Sequence, residues 1–397
     1  MKKVLIVISC LGVGGGERSL VNLLNEFDFM KYEVDLITLN DSGLLGKQIP
    51  KKVNILKKDT KLNYLYNNCC IKDIFKKNVL KTVLFRIIAT LISRKREKNI
   101  NRSKQYRWKH FYKHYLDDCK GNYDVVFAYM NDDAMYYVAD KVNSDNKIAW
   151  IHNDYYAMGY DAEMDRQYFP FFRKIVTISN ECLRILQEVF PEFASKCVMI
   201  PNLTSEKLVK KKATEFYPQE FVSVHTLKLL SIGRLSKQKG YDFAVEAAKV
   251  LKHRDLDFKW FVLGEGELRR QLETQIEKLG VKEHFILCGI KDNPYPYLAN
   301  CDIFVQTSRF EGKSVALDEA KIFCKPIVAT KYSTVYDQLN DKTGVIVDMN
   351  GEAIADGIYN LAINYDRRQL MVCNAQKENH DNINMISQYY ALIEYEK

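Results

Sequence analysis

The sequence lacks the marks of several protein classes. Its ten cysteines include no C-x2-C pair, which argues against a zinc ribbon or a redox motif. Eight prolines and 18 glycines in 397 residues are too few for a collagen-like or low-complexity chain. No stretch of 18 residues is both apolar and uncharged, so we expect no membrane-spanning helix. We expect the cysteines to be buried free thiols in a reducing cytoplasm.

What the chain does contain is ordinary globular material with one unusual segment. Hydrophobic residues make up 47% and aromatic residues 12%, enough for the cores of two domains. The net charge is +9, yet residues 61–120 alone hold 16 Lys or Arg against 4 Asp or Glu. Because the positive charge is local, we expect one anionic partner at this segment rather than a protein that coats nucleic acid.

The N-terminus has a superficial likeness to a lipoprotein signal, since two lysines and an apolar run precede Cys10. The run covers only residues 4–8, whereas a signal core needs about 7–15 residues. We therefore predict a buried first strand that leads into a glycine loop.

Apolar, β-branched runs alternate with segments of helical periodicity, which predicts an α/β fold with parallel sheets. Strands are predicted at residues 4–8, 34–39, 125–128, 148–151, 174–178, 227–232, 260–263, 285–288, 303–306 and 326–329. A polar, Lys-rich stretch at 202–226 is the expected boundary between two domains that face a cleft. We predict an N-terminal domain at 1–203, with a basic helical insertion at about 57–120, and a C-terminal domain at 204–379.

Consecutive glycines, Gly14, Gly15 and Gly16, lie between the first strand and a helix. Such a loop lets backbone N–H groups approach a phosphate or a sugar at the helix N-terminus. The nicotinamide fingerprint G-x-G-x-x-G fails, because Glu17 and Ser19 occupy its third glycine position in the two registers. The alternative is a simple tight turn.

Gly233 and Arg234 follow a predicted strand, and Lys239 lies in the same loop. Open α/β sheets bind ligands at this edge, and an Arg and a Lys together suit a diphosphate. Taken alone, the two cations could equally belong to a solvated surface.

The strongest pattern is Glu311, followed by Gly312, with Glu319 eight residues later inside a predicted helix. Two carboxylates so placed can bind two hydroxyl-bearing parts of one ligand. The first helical amides, near Ser314 and Val315, favour negative charge. By spacing alone, the two glutamates could also be solvated helix charges.

Together these residues resemble family 4 of the retaining glycosyltransferases. Glu311 and Glu319 fit its Glu-x7-Glu signature, and the glycine loop, Gly233-Arg234, Lys239-Gly240, Gly264-Glu-Gly266 and residues 326–330 follow in the family's order. The resemblance implies the GT-B fold, with two Rossmann-like domains. It also implies acceptor binding by the N-terminal domain, a nucleotide sugar on the C-terminal domain, and a helix at about 380–397 that returns to the N-terminal domain.

The resemblance also implies roles for single residues. Glu319 would hold the ribose, Glu311 the donor sugar, and Arg234 and Lys239 the diphosphate, with His152 beside the donor sugar. The other implied substrate contacts are Gly14, Gly15, Gly16, Gly233, Gly312, Ser314 and Val315. We expect no cofactor and no metal, and we interpret Asp255-Leu256-Asp257 as a solvated turn rather than a metal motif.

The function so implied is retaining transfer of a sugar, with UDP as the favoured carrier, to a lipid-linked saccharide in capsule or exopolysaccharide synthesis. The enzyme would be cytoplasmic and peripheral on the inner membrane face. Lys313-Ser314 departs from the family's usual Gly and aromatic, which bears on the choice of sugar. A nucleotide-sugar epimerase and a non-catalytic sugar-nucleotide or lipid-binding subunit remain the alternatives.

On a helical wheel of residues 79–92, Thr82, Arg86, Ala89 and Thr90 share one face and large aliphatic residues cover the other. Such a helix within residues 74–98, flanked by cations, suits the surface of an anionic membrane. A helical hairpin packed on the domain is the alternative. We expect no nucleic acid, because no recognition motif accompanies the basic residues.

Overall fold

The structure, a computed structural model, describes residues 1–12, 14–73, 75–76, 78–222, 224–378 and 385–394. The chain divides into two compact units. The N-terminal unit comprises Met1–Leu203 and Met385–Lys397, and the C-terminal unit comprises Thr204–Asn384. Each unit contains one parallel β-sheet.

The N-terminal unit is built on a seven-stranded sheet in the order β3-β2-β1-β4-β5-β6-β7. Its strands are β1 (Lys2–Ile8), β2 (Tyr32–Thr38), β3 (Asn54–Ile55), β4 (Val125–Ala128), β5 (Lys147–Ile151), β6 (Lys174–Thr177) and β7 (Cys197–Met199). Its helices before the unit boundary are α1 (Gly15–Asn25), α2 (Thr60–Tyr66), α3 (Val79–Arg96), α4 (Ile100–Arg107), α5 (Lys113–Tyr115), α6 (Asp133–Lys141), α7 (Tyr155–Met158), α8 (Ala162–Tyr168) and α9 (Asn180–Val189). Helices cover both faces of the sheet, so the apolar residues 4–8 of β1 are fully buried.

The C-terminal unit repeats this plan with six strands in the order β10-β9-β8-β11-β12-β13. The strands are β8 (Leu227–Ile232), β9 (Phe258–Leu263), β10 (Phe285–Leu287), β11 (Ile303–Gln306), β12 (Ile327–Thr330) and β13 (Gly344–Val347). The helices are α10 (Glu206–Ala213), α11 (Tyr241–His253), α12 (Arg269–Lys278), α13 (Tyr295–Asn300), α14 (Val315–Ile322), α15 (Gly351–Ile363) and α16 (Tyr365–Gln376).

The last helix, α17 (Ile386–Glu394), belongs to the N-terminal unit. The ring of Tyr389 is fully buried and stacks on Trp150, with 5.8 Å between ring centroids. Its hydroxyl donates a hydrogen bond to the carbonyl of Pro201 at 3.1 Å. Tyr390 stacks on Tyr32, which attaches the same helix to the start of β2. The chain therefore completes its first unit with its last helix.

The predicted α/β fold with two Rossmann-like domains is confirmed, and all ten predicted strands are present with small shifts at their ends. The sequence interpretation missed three short strands, β3, β7 and β13. The observed boundary between the units lies between Leu203 and Thr204. Within the predicted return helix, residues 380–384 and 395–397 lie outside the described part of the chain.

The cysteines are all free thiols, but they are not all buried as expected. Cys182, Cys197 and Cys301 are buried, whereas Cys70 and Cys373 are exposed. The two exposed residues lie at the surface of polar segments, where no apolar face covers them. In the described ranges, no helix is long and apolar enough to span a membrane.

Tyr389→Ala should loosen the N-terminal unit selectively. Removing a fully buried aromatic ring costs about 3 kcal/mol or more. Hydrogen exchange of peptides from β1 and β5 should therefore speed up by about 100-fold, because exchange from the unit's core follows its opening free energy. The control is Tyr365→Ala, since Tyr365 is 62% exposed in the C-terminal unit. Unchanged exchange in β5 would show that α17 does not stabilise the sheet.

Candidate active site

The C-terminal sheet changes its direction of growth between β8 and β11, which lie side by side at its centre. Loops that leave two such strands at their carboxyl ends diverge and create the usual ligand crevice of open α/β sheets. The loop after β8 carries Gly233, Arg234 and Lys239, and the turn after β11 carries Glu311. The predicted donor-site residues therefore follow the two central strands.

Glu311 and Lys239 meet at this edge. The Lys239 Nζ lies 2.6 Å from the Glu311 Oε1, and both side chains are largely buried. The same oxygen accepts hydrogen bonds from Ser308 Oγ at 2.6 Å and from Gln306 Nε2 at 3.0 Å. An ammonium and two further donors on one oxygen hold the carboxylate in one orientation.

Two glycines make this meeting possible. Gly240 adopts φ +63°, and a Cβ there would lie 2.1 Å from the Thr307 carbonyl oxygen, so only glycine lets the β8 loop touch the end of β11. A Cβ on Gly233 would lie 2.9 Å from Lys239 Cε. Gly233 thus leaves room for the lysine to cross the backbone and reach Glu311.

The N-terminus of α14 is occupied by protein groups. Ser314 caps the helix, since its Oγ accepts from Leu317 N at 3.3 Å. The Ser314 amide, predicted as an anion-binding group, donates to Gln338 Oε1 at 2.8 Å. Lys313 pairs with Asp318 at 3.3 Å. A phosphate at the Ser314 amide would therefore have to displace Gln338.

Arg234 and Glu319 differ sharply in their surroundings. Arg234 is exposed, and within the described ranges no carboxylate pairs with it. Glu319 is fully buried in α14, and its Oε1 accepts a hydrogen bond from Tyr295 OH at 2.9 Å. The two predicted cations therefore differ in the charge that they can offer to a ligand. Glu311 already neutralises Lys239, whereas the charge of Arg234 remains available.

In the N-terminal unit, the glycine loop follows β1 at the corresponding switch between β1 and β4. A Cβ on Gly14 would lie 2.3 Å from the Glu17 carboxylate, and one on Gly16 would lie 2.9 Å from Met130 Cε. These two glycines therefore make space for neighbouring side chains. Gly15, the first residue of α1, is exposed.

His152 lies just after β5 and against the same loop, 3.5 Å from where a Cβ on Gly16 would be. Its Nε2 donates to the carbonyl of Tyr129 at 3.0 Å, while its Nδ1 is buried and has no hydrogen-bond partner among the residues that the structure describes. Burial lowers the pKa of His152 to about 4. The ring is thus neutral near pH 7 and offers Nδ1 only as an acceptor.

Several contributors were missed by the sequence interpretation. They are Gln306, Ser308, Gln338 and Tyr295, all of which contact a predicted site residue. Gln306 and Ser308 had a usable signal, since polar residues end an otherwise apolar strand. Gln338 and Tyr295 had none, because only the tertiary fold brings them to α14.

The structure bears on two further expectations. Asp255 and Asp257 are exposed in the turn before β9, at the amino end of the strand and away from the loops just described. Over the described residues, no group of three or more His, Cys, Asp or Glu side chains is arranged to hold a metal ion.

His152→Gln should reduce the acid sensitivity of the fold. The pKa of His152 is lower in the folded state than the ordinary 6.5, so protonation of the unfolded chain costs stability as the pH falls from 6.5 towards 4. Between pH 7 and pH 5, urea unfolding should show the variant losing about 2 kcal/mol less than the wild type. His284→Gln is the matched control, since His284 also bonds a backbone carbonyl but is half-buried. Equal losses in wild type and His152→Gln would contradict the burial argument.

Comparison with known proteins finds related glycosyltransferases. Residues 214–378 match the family described as glycosyl transferases group 1. A relative from Campylobacter jejuni, N-acetylgalactosamine-N,N'-diacetylbacillosaminyl-diphospho-undecaprenol 4-alpha-N-acetylgalactosaminyltransferase, is 26% identical over 89% of this chain and 87% of its own. The putative colanic acid biosynthesis glycosyltransferase WcaL of Escherichia coli is 31% identical, over 34% of this chain and 36% of its own.

Solved structures match over the whole length. The Anabaena protein Alr3699/HepE, crystallised with UDP and glucose, superposes with a TM-score of 0.68 at 16% identity, covering 98% of both chains. The Staphylococcus aureus protein TarM, in a mutant complex that contains UDP, gives 0.65 at 16% identity, covering 100% of both chains. The resemblance drawn from Glu311 and Glu319 is thereby confirmed. The family match lies within the C-terminal unit, and the chain is a glycosyltransferase with the GT-B fold.

Proposed function

We propose that this enzyme transfers a sugar, with retention of configuration, from a UDP-sugar to a lipid-linked saccharide during cell-surface polysaccharide synthesis. One observation carries the proposal above all: the Lys239–Glu311 pair at the carboxyl edge of β8 and β11, with the exposed Arg234 in the loop that holds Lys239. This arrangement supplies a fixed carboxylate for the donor sugar and a free cation for its diphosphate.

The chemistry follows from where charge develops. The bond between the sugar's anomeric carbon and the diphosphate oxygen breaks, and negative charge grows on the leaving diphosphate. Arg234 stabilises that charge in the transition state more than in the ground state, which is what accelerates the reaction. The proposal requires no metal ion, because a protein cation performs this task.

The acceptor hydroxyl attacks the anomeric carbon from the face that the diphosphate leaves. Its oxygen forms the new glycosidic bond, and its proton passes to the departing phosphate oxygen. Glu311 orients the donor sugar, and Glu319 binds the ribose. The neutral ring of His152 accepts a hydrogen bond from a sugar hydroxyl at Nδ1. The backbone at Gly14–Gly16, Gly233, Gly312 and Val315, with the Ser314 side chain, completes the predicted substrate contacts.

The choice of substrates draws on the relatives. The Campylobacter jejuni relative is named for a diphospho-undecaprenol acceptor, and the WcaL protein for colanic acid biosynthesis. The Anabaena structure was solved with UDP and glucose. We therefore infer a UDP-sugar donor and a lipid-linked saccharide acceptor. None of these comparisons favours an epimerase or a non-catalytic subunit.

A lipid-linked acceptor calls for contact with a membrane, and α3 has the surface for it. The helix packs on the N-terminal unit through Thr82, Ala89 and Ser93, which are fully buried, and through Phe85, whose ring stacks on Tyr115. Its large aliphatic side chains face outward instead. Five of them are 46–64% exposed: Leu80, Leu84, Ile87, Ile88 and Leu91. Such a stripe on a surface helix marks an interaction site.

Cations flank this apolar stripe, which favours an anionic lipid surface as its partner. Lys81 lies within the helix, and Arg94, Lys95, Arg96 and Lys98 follow at its C-terminal end. Throughout the described ranges, none of these five side chains forms an ion pair. Each Lys or Arg near an anionic leaflet contributes about 1 kcal/mol. We therefore propose that the enzyme is cytoplasmic and attaches peripherally to the inner membrane face through residues 79–98.

Glu311→Gln should abolish most transfer without abolishing donor binding. The variant keeps the shape but loses the charge that Lys239 and the donor sugar require. Turnover, measured as UDP release with a panel of UDP-sugars and a lipid-linked acceptor pool, should fall at least about 100-fold. The affinity for UDP, measured by calorimetry, should change less than about threefold. Turnover equal to the wild type would remove Glu311 from the mechanism.

Two further observations separate this proposal from its alternatives. Donor that is consumed without acceptor, giving an epimerised sugar nucleotide, would favour an epimerase. UDP-sugar binding with no product from any acceptor would favour a binding subunit. Product whose new linkage has the opposite anomeric configuration to the donor would overturn retention.

Replacing two exposed apolar residues should weaken membrane attachment. In a flotation assay with vesicles rich in anionic lipid, Leu84→Gln combined with Ile88→Gln should lower the bound fraction at least tenfold, since each Leu or Ile burial contributes about 1.5 kcal/mol or more. Leu370→Gln is the control, because Leu370 is 61% exposed but lies in α16 of the C-terminal unit. Wild-type binding should also fall with added salt. Absence of flotation at both low and high salt would refute attachment through α3.

A further inference from the structure

We propose that Gln306 is a positioning residue for glycosyl transfer, which fixes the Glu311 carboxylate so that only its Oε2 is left for the substrate. This inference rests on the proposed function and adds to it a residue that neither the motifs nor the comparisons point to. Gln306 is the last residue of β11 and is 4% exposed.

Every hydrogen-bonding group of the Gln306 amide has a partner. Its two N–H groups donate to Ser308 Oγ at 2.6 Å and to Glu311 Oε1 at 3.0 Å. Its Oε1 accepts from Ser314 Oγ at 3.2 Å. Because Ser308 in turn donates to Glu311 Oε1, the directions of all these bonds are mutually consistent.

As a consequence, the two carboxylate oxygens of Glu311 have different roles. Oε1 accepts hydrogen bonds from Lys239, Ser308 and Gln306, which fills the acceptor capacity of a carboxylate oxygen. Among the described residues, Oε2 has a single long contact, 3.5 Å, with Gln238 Nε2. Oε2 can therefore accept hydrogen bonds from substrate hydroxyls, and the hydrogen bonds that orient the Glu311 carboxylate stay intact.

Gln306 also joins this carboxylate to the start of α14. The hydroxyl of Ser314 caps that helix by accepting from Leu317 N, and it donates a hydrogen bond to Gln306 Oε1. One buried amide thus aligns the donor-sugar carboxylate with the helix terminus nearest to it. Neither Leu nor Glu could do both tasks, since Leu offers no hydrogen bond and an ionised Glu would repel Glu311.

The first experiment replaces the amide with an apolar group of similar length. Gln306→Met should lower kcat for sugar transfer by about 10- to 100-fold and change the donor KM less than threefold, because binding contacts remain while the orientation of Glu311 is lost. Gln275→Met is the matched control. Gln275 is half-buried in α12 and makes one hydrogen bond, to the carbonyl of Asp242. A rise in KM with unchanged kcat would overturn the proposal.

The second experiment asks whether Gln306 acts through Glu311. In the Glu311→Gln background, adding Gln306→Met should reduce the remaining kcat less than twofold, because the group to be positioned is already gone. A further loss as large as in the wild-type background would mean that Gln306 acts by another route, and would overturn the inference.

The third experiment uses Gln306→Glu and pH. A protonated carboxyl at this position can donate to Glu311 Oε1 as the amide does, whereas an ionised one cannot. Two adjacent carboxyls raise the pKa of one of them, so activity relative to the wild type should rise as the pH falls from about 8 to 5.5. The other titratable groups facing Glu311 are Lys239, Tyr241 and Tyr332, and burial raises the pKa of both tyrosines above the ordinary value.

This variant also covers the case in which Gln306→Met does not fold. A ratio that stays flat across the pH range would contradict the positioning role. Failure of the proposed function looks different, because Glu311→Gln alone would then retain wild-type turnover. If Glu311→Gln loses turnover but both Gln306 variants keep a normal kcat, only the inference about Gln306 is overturned.

Discussion

The candidate donor site depends on one buried ion pair, between Lys239 and Glu311. Two large side chains from separate loops come together there because the loop after β8 has glycine at 233 and 240, on either side of Lys239. A buried pair of this kind is weak evidence for stability, since desolvation offsets much of its attraction. Its value lies in geometry, because three donors on one oxygen leave the carboxylate a single orientation.

The sequence was sufficient for the architecture because both sheets are buried on two faces. Strands such as residues 4–8 and 148–151 are continuous apolar runs that end at a polar residue, which is a strong local signal. The strands that were missed are short or lie at sheet edges: β3 has two residues and β7 three, too few for any periodicity.

Only part of the candidate site could be predicted from the sequence, for a different reason. Glu311, Lys239 and Arg234 stand in recognisable motifs, but the division of labour between the cations is a tertiary fact. The sequence assigned both cations to the diphosphate, whereas the structure pairs Lys239 with Glu311 and leaves Arg234 exposed. The same holds for Ser314, whose amide is taken by Gln338 from 24 residues away. Partners that converge from separate elements leave no trace in local spacing.

The chain order of the N-terminal unit has a consequence for its synthesis. Trp150 and the start of β2 emerge from the ribosome early, yet α17, which covers them, follows the entire C-terminal unit. Since chains fold as they are made, the second unit is able to close on itself before the first one is complete. A large aromatic surface therefore stays exposed while about 180 residues are translated. Chaperones that bind such surfaces have their longest opportunity during that interval.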